Sequence, residues 1–141
     1  MLRQKKIKLI GRCEYVDFPE LLLFQTEAKI DTGAYTTALH CDDISIKNIS
    51  GKEILCIHLN GKEWQFEQFL QKNIKSSSGE SELRYVIKSL IIIGEKKIRT
   101  AVSLTDRANM RYPVLIGRKL LRKKFVVDVS KIHTNGISFE N

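Results

Sequence analysis

Short alternations of apolar and polar residues run through most of the chain. "KIKLI" (6–10) alternates with period two, "LLLFQTEAKI" (21–30) leads into Asp31, and "YTTALH" (35–40) leaves it with adjacent threonines, all strand signatures. "EILCIHL" (53–59) and "KEWQFEQF" (62–69) flank Asn60-Gly61, the pair that best tolerates the positive φ angles of a two-residue hairpin. "YVIKSLIII" (85–93) and "KKIRTAVSLT" (96–105) predict a second hairpin around Gly94-Glu95. Between these hairpins, the polar, Ser-rich "LQKNIKSSSGESELR" (70–84) predicts an exposed connection or hairpin tip.

After a polar loop, "DRANMRY" (106–112), the pattern changes character. "PVLIGRKLLRKKF" (113–125) reads as an apolar strand ending at Gly117 and a short helical turn that places Leu120 and Leu121 inward. "FVVDV" (125–129) and "GISF" (136–139) predict two last strands. Many short strands, frequent turns and one short helix make the expected class mainly β, with a closed or nearly closed barrel that leaves few edges exposed. No repeat and no long low-complexity tract divides the chain, and 141 residues suit one domain spanning 1–141.

Composition and chain features sharpen this picture in four ways. The longest apolar runs, "ELLLF" and "SLIII", are far shorter than the about 20 residues of a membrane helix. The basic first residues alternate with apolar ones and lack a small-residue cleavage site, so no signal peptide is expected. Cys13, Cys41 and Cys56 are odd in number without CxxC spacing, which suits reduced thiols and a cytoplasmic location. Lys plus Arg exceed Asp plus Glu by 24 to 16, a net charge of +8 that favours acidic partners without choosing between nucleic acid and acidic polypeptide.

The candidate chemistry lies in "AKIDTGAYTTALH" (28–40). A lone exposed Asp is ionised at neutral pH and gives up no proton. Two such carboxylates held close together cannot both ionise cheaply, so they share a proton. One can then activate water while the other protonates a carbonyl oxygen, which opens peptide hydrolysis without a covalent intermediate. The neighbours suit such a corner: Ile30 buries its back, Thr32 offers a hydroxyl, Gly33 permits a tight turn with its N–H near the carboxylate, and Ala34 is small.

"IDTGA" (30–34) followed by "PVLIGRKLL" (113–121) resembles the retropepsin group of aspartic proteases, and the strand, Gly turn, strand, loop and Gly-Arg order between them continues the likeness. "AKIDTGAYTTALH", "RYVIKS" (84–89) and "NMRYPVLIGRKLL" (109–121) are more closely similar to small bacterial proteins labelled ATP-dependent zinc proteases, retropepsin-like endopeptidases associated with ATP-grasp glutamate ligases. The resemblance covers nearly the whole chain. It implies an acid-protease barrel of the six-stranded type with one short C-terminal helix, and an aspartic endopeptidase whose catalytic acid and base is Asp31. It further implies Thr32 as a dimer-locking hydroxyl, Gly33 as a substrate-backbone contact, Ala34 beside them, and Ile116 and Gly117 as apolar support. Arg118 would be a structural cation, Arg84 would support or contact substrate, and the segment from Lys75 to Arg84 would be the flap.

The chain departs from the retropepsin pattern at Tyr35, where a second Asp commonly partners the Gly-Arg arginine, and in having Gly79 as the only flap glycine. It also carries Asp-Thr-Gly once, so a symmetric homodimer is expected to bring the two Asp31 side chains together. The expected substrate is a peptide or protein, with the charge and the ligase association favouring an acidic, glutamate-rich one. The competing class is an inactive retropepsin-like module that binds protein or nucleic acid. Trp64, Phe66, Tyr15, Phe18 and Phe24 could serve as stacking platforms, but core or interface packing is the stronger expectation.

No metal and no cofactor are expected. His40, His58 and His133 do not form H-E-x-x-H, Cys56 and His58 with His40-Cys41 fall short of a recognisable ligand set, and no Gly-rich phosphate loop provides for direct use of ATP.

Overall fold

Asn60-Gly61 and Gly94-Glu95 both turn the chain as the sequence predicts, with φ of 55° and 74° in the first pair and 53° and 69° in the second. A computed structural model describes residues 6–75, 78–106 and 111–139. Its strands are β1 (Lys8–Ile10), β2 (Cys13–Phe18), β3 (Leu23–Ile30), β4 (Thr37–His40), β5 (Asp42–Ile49), β6 (Lys52–Leu59) and β7 (Lys62–Phe66). They continue with β8 (Leu70–Lys75), β9 (Ser81–Ile93), β10 (Lys96–Thr105), β11 (Val114–Ile116), β12 (Phe125–Val127) and β13 (Ile137–Ser138). One helix, α1 (Arg118–Leu121), follows β11.

Six strands close on themselves in the order β10-β4-β11-β3-β2-β9, with β9 pairing back onto β10. The mainly β class, the barrel and the single short helix are therefore as expected. Ile91, Ile93, Val102, Leu104, Leu39, Val114, Ile116, Val16 and Phe18 fill the interior at 2% exposure or less. Leu120 and Leu121 of α1 are buried against the same core, as their pattern predicted. A second sheet, β5-β6-β7, is an antiparallel meander, and a third, β12-β1-β13, joins both ends of the described chain.

β9 is long enough to serve two partners. Its residues from Val86 to Ile93 pair with β10 inside the barrel, whereas those from Ser81 to Val86 pair with β8 as a two-stranded arm. That arm contains the segment from Lys75 to Arg84, the flap of the sequence reading, of which Ser76 and Ser77 lie outside the described residues. Leu70 and Leu83 stand on it 56% and 58% exposed.

Three strands were not anticipated from the pattern: β8, which falls in the polar stretch read as a connection or hairpin tip, β5 and β2. β5 alternates Ile44 and Ile46 with Ser45 and Lys47, a usable but short signal. β2 hides its period because Glu14 occupies an inward position in line with Val16 and Phe18, and it is only 1% exposed. Its carboxylate replaces water with protein donors: Oε2 accepts from the Gly11 N–H at 2.8 Å, the Thr134 N–H at 3.0 Å and the Thr134 hydroxyl at 2.8 Å. Oε1 accepts from the Asn135 N–H at 2.9 Å. A buried charge survives only with partners of this kind.

Candidate active site

Parallel pairing of β3 with β11 puts Ile30 opposite Ile116 and so brings the two distant motifs side by side. The Asp31 N–H extends this ladder by one bond, to the Ile116 carbonyl at 2.8 Å. The chain then turns sharply: the Ala34 N–H donates to the Asp31 carbonyl at 3.2 Å, and the Gly33 N–H donates to Asp31 Oδ1 at 3.1 Å. The last bond fixes the carboxylate's orientation, and Asp31 itself is half-buried at the barrel's rim.

The Gly-Arg segment clamps this corner from the other side. α1 has no side-chain N-cap, so its first N–H groups need other acceptors. They find them in the corner: the Arg118 N–H donates to the Ala34 carbonyl at 2.8 Å and the Lys119 N–H to the Tyr35 carbonyl at 2.9 Å. The Arg118 Nη1 donates to the Thr32 carbonyl at 2.9 Å, and its guanidinium carbon lies 5.8 Å from the centre of the Tyr35 ring. With Tyr35 where a carboxylate was expected, Arg118 is held by a carbonyl and an aromatic face instead.

Gly117 must be glycine for want of space. A β-carbon there would lie 2.5 Å from the Tyr35 carbonyl oxygen, and the Gly117 N–H also donates to Thr37 Oγ1 at 3.2 Å. Gly117→Ala is expected to cost about 1–3 kcal/mol, because backbone rather than a flexible side chain must give way. Thermal melting with the wild type alongside measures this, and an unchanged melting temperature would contradict the close approach.

Ile116 is fully buried beneath the corner and Thr32 is exposed. Arg84, by contrast, joins none of the hydrogen bonds that define the corner. It sits on the β9 side of the arm, 8% exposed, with Nη2 3.2 Å from Glu82 Oε2 and Nε buried without a partner among the described residues. Beside the corner, Arg12, Lys29, Arg111 and Tyr112 line a hollow of ≈ 350 Å³ floored by Ile30 and Leu115.

The histidines are placed differently from one another. His133 Nε2 meets Glu27 at 2.5 Å while its ring stacks on Tyr15, and His58 Nδ1 meets Asp43 at 3.2 Å. His40, Asp42 and Asp106 bring possible ligand atoms within 4.8 Å of one another, a group the sequence did not single out. Cys41, next to His40, is not part of this group, and burial, with help from Asp106 and Asp42, pushes its thiol up to about 12. The set is thus short of the four protein ligands of a structural zinc.

Comparison with known proteins agrees with the barrel. The family described as "Retropepsin-like aspartic endopeptidase RimB" matches residues 9–136, and the chain belongs to this RimB-like family. Two curated relatives are each described as a "Probable alpha-L-glutamate ligase". The one from Shewanella pealeana is 34% identical over 87% of this chain, and the one from Shewanella halifaxensis 33% identical over 87%. The chain spans only 29% of the length of these two relatives. A crystal structure of a Legionella pneumophila protein of unknown function superimposes with a TM-score of 0.70 at 26% identity, covering 90% of this chain and 97% of that one. No helix among the described residues is long and apolar enough to cross a membrane.

Proposed function

We propose that the protein is an aspartic endopeptidase that works as a symmetric homodimer and cleaves acidic, glutamate-rich polypeptide. The observation that carries this reading is the Asp31 corner: one carboxylate per chain, oriented by the Gly33 N–H and half-exposed at the rim of a barrel of the retropepsin-like family. Two copies facing each other across a two-fold axis share one proton, so that one Asp31 takes a proton from water as the other gives one to the scissile carbonyl. Thr32, exposed beside it, suits the role of a hydroxyl bonded across the axis, while Arg118 keeps the turn rigid. The β8–β9 arm, with Leu70 and Leu83 uncovered, suits a flap that closes on bound peptide and excludes water.

The substrate class rests on charge and kinship. The net charge is +8, and the curated relatives described as glutamate ligases contain a segment like this chain. A hydrolase of this kind would act beside a glutamate-adding ligase, on the acidic chain such a ligase extends. The three cysteines are free and buried, in keeping with work in a reducing cytoplasm.

Cleavage of a Glu-rich peptide and of its Gln-rich counterpart, followed at low salt over a dilution series, tests this reading. The Glu-rich peptide should be cut faster, and turnover per chain should fall as dilution separates the subunits. Equal rates for the two peptides would remove the substrate assignment; turnover per chain that ignores dilution down to concentrations where sedimentation shows monomer would remove the shared-carboxylate mechanism.

A further inference from the structure

On a different part of the surface, cations from three segments of the chain converge. β1 runs parallel to β12, with the Lys8 N–H donating to the Lys124 carbonyl at 3.0 Å, and Lys96 Nζ donates to the Lys6 carbonyl at 2.6 Å. These contacts draw the start of β1, the residues after α1 and the β9–β10 turn around one open groove of ≈ 590 Å³. Lys6, Lys8, Lys96, Lys97, Arg99 and Lys124 line it, and Glu95 is the one carboxylate among its lining residues. Arg99 is already neutralised by Glu20, with Nη2 2.8 Å from Oε2 and Nη1 3.1 Å from Oε1. The groove is therefore a lysine site. It shares no residue with the Asp31 corner.

We infer that this groove is a second binding site, which holds a stretch of acidic polypeptide by its carboxylates at a place other than where the chain is cut. The inference rests on the proposed substrate class and adds the residues that would grip it. Clustered like charges raise one another's cost, so gathering five lysines around one concavity makes an anionic occupant favourable. Lysine heads on flexible stems suit carboxylates that are themselves spread along a flexible chain. Nucleic acid fits less well. Single strands are gripped by stacking bases on aromatic rings or guanidinium planes; no aromatic residue lines this groove, and its one guanidinium is held by Glu20. Holding the acidic chain here raises its local concentration at the cleavage corner and leaves the chemistry unchanged.

Binding can be read without hydrolysis, by fluorescence anisotropy of a labelled oligoglutamate peptide on Asp31→Asn protein spanning residues 1–141. Lys6→Glu with Lys97→Glu should weaken binding by about tenfold at low salt, and added salt should weaken wild-type binding in parallel. Lys52→Glu with Lys62→Glu, an equal change in net charge on the β5–β7 sheet, should leave most of the affinity in place. Equal losses in the two double variants, no loss in the first, or tighter binding of a short single-stranded RNA than of oligoglutamate would each overturn the groove. Circular dichroism controls for folding, and Lys6→Gln with Lys97→Gln repeats the test with milder changes. A protein that grips oligoglutamate here yet cleaves nothing would defeat the hydrolase reading and leave the groove standing.

Discussion

Asp31→Asn is expected to remove the proposed peptide hydrolysis and to leave the barrel folded. The substitution is nearly isosteric, and the Asn side-chain oxygen can still accept the Gly33 N–H that Asp31 Oδ1 accepts at 3.1 Å. The Asp31 N–H bond to Ile116 and the Arg118 contacts involve backbone atoms, so the corner keeps its shape. An amide, however, can neither take a proton from water nor share one with a facing carboxylate. Loss of general acid and base action predicts a fall in kcat of at least about 10²–10⁴-fold. Dimers mixed from one wild-type and one variant subunit should be equally inert, because a single carboxylate lacks its proton-sharing partner. Steady-state kinetics on a Glu-rich peptide, together with melting curves, gives the answer. Turnover that survives the substitution would remove Asp31 from the chemistry, and a wild-type chain without turnover would belong to the binding-module class instead.

Glu14→Gln produces the second large effect, on stability. Glu14 Oε2 accepts from Gly11 N–H, Thr134 N–H and the Thr134 hydroxyl, and Oε1 from Asn135 N–H. Glutamine keeps one oxygen and turns an NH2 group toward backbone donors that cannot accept from it. The side chain is 1% exposed, so water cannot relieve the conflict. A loss of about 2–4 kcal/mol follows from unsatisfied buried donors and a broken charge-assisted network. For a chain of this length the melting temperature should fall by roughly 5–15 °C.

The same residue gives the effect a pH dependence. Burial by itself would raise the Glu14 pKa, but the hydrogen bonds from Gly11, Thr134 and Asn135 together hold it below the ordinary 4.5. A carboxyl whose folded value is depressed contributes stability that is complete above its unfolded value and is lost as pH falls through the folded one. The gap between wild type and Glu14→Gln should therefore be widest above pH 4.5 and narrow below it. Melting curves across that range measure it. A constant gap would mean that the carboxylate's charge plays no part.

What could be read from the sequence was what neighbouring residues decide. Asn60-Gly61 and Gly94-Glu95 make their turns through their own φ preferences, and the inward pair Leu120-Leu121 follows from local periodicity. The pairing of "IDTGA" with "LIGR" was legible only through the resemblance to the retropepsins. Contacts between distant segments were not. Nothing near Glu14 announces that Thr134 and Asn135 will supply its donors, although a carboxylate in line with Val16 and Phe18 was a sign of a buried charge. Likewise, the basic residues near Lys6, Lys97 and Lys124 look like separate solvated runs until β1 pairs with β12. Tyr35 was read as the absence of an acid; its ring against Arg118 belongs to the folded state alone.

The sheet β12-β1-β13 has a further bearing on how such a unit can be used within larger polypeptides. Lys8 and Ser138 are antiparallel register partners, so the entering and departing strands lie about 5 Å apart. A unit whose two ends meet can be spliced into a host loop or tethered from either side without prying open its interior. Circular permutants joining these ends through a short linker should fold.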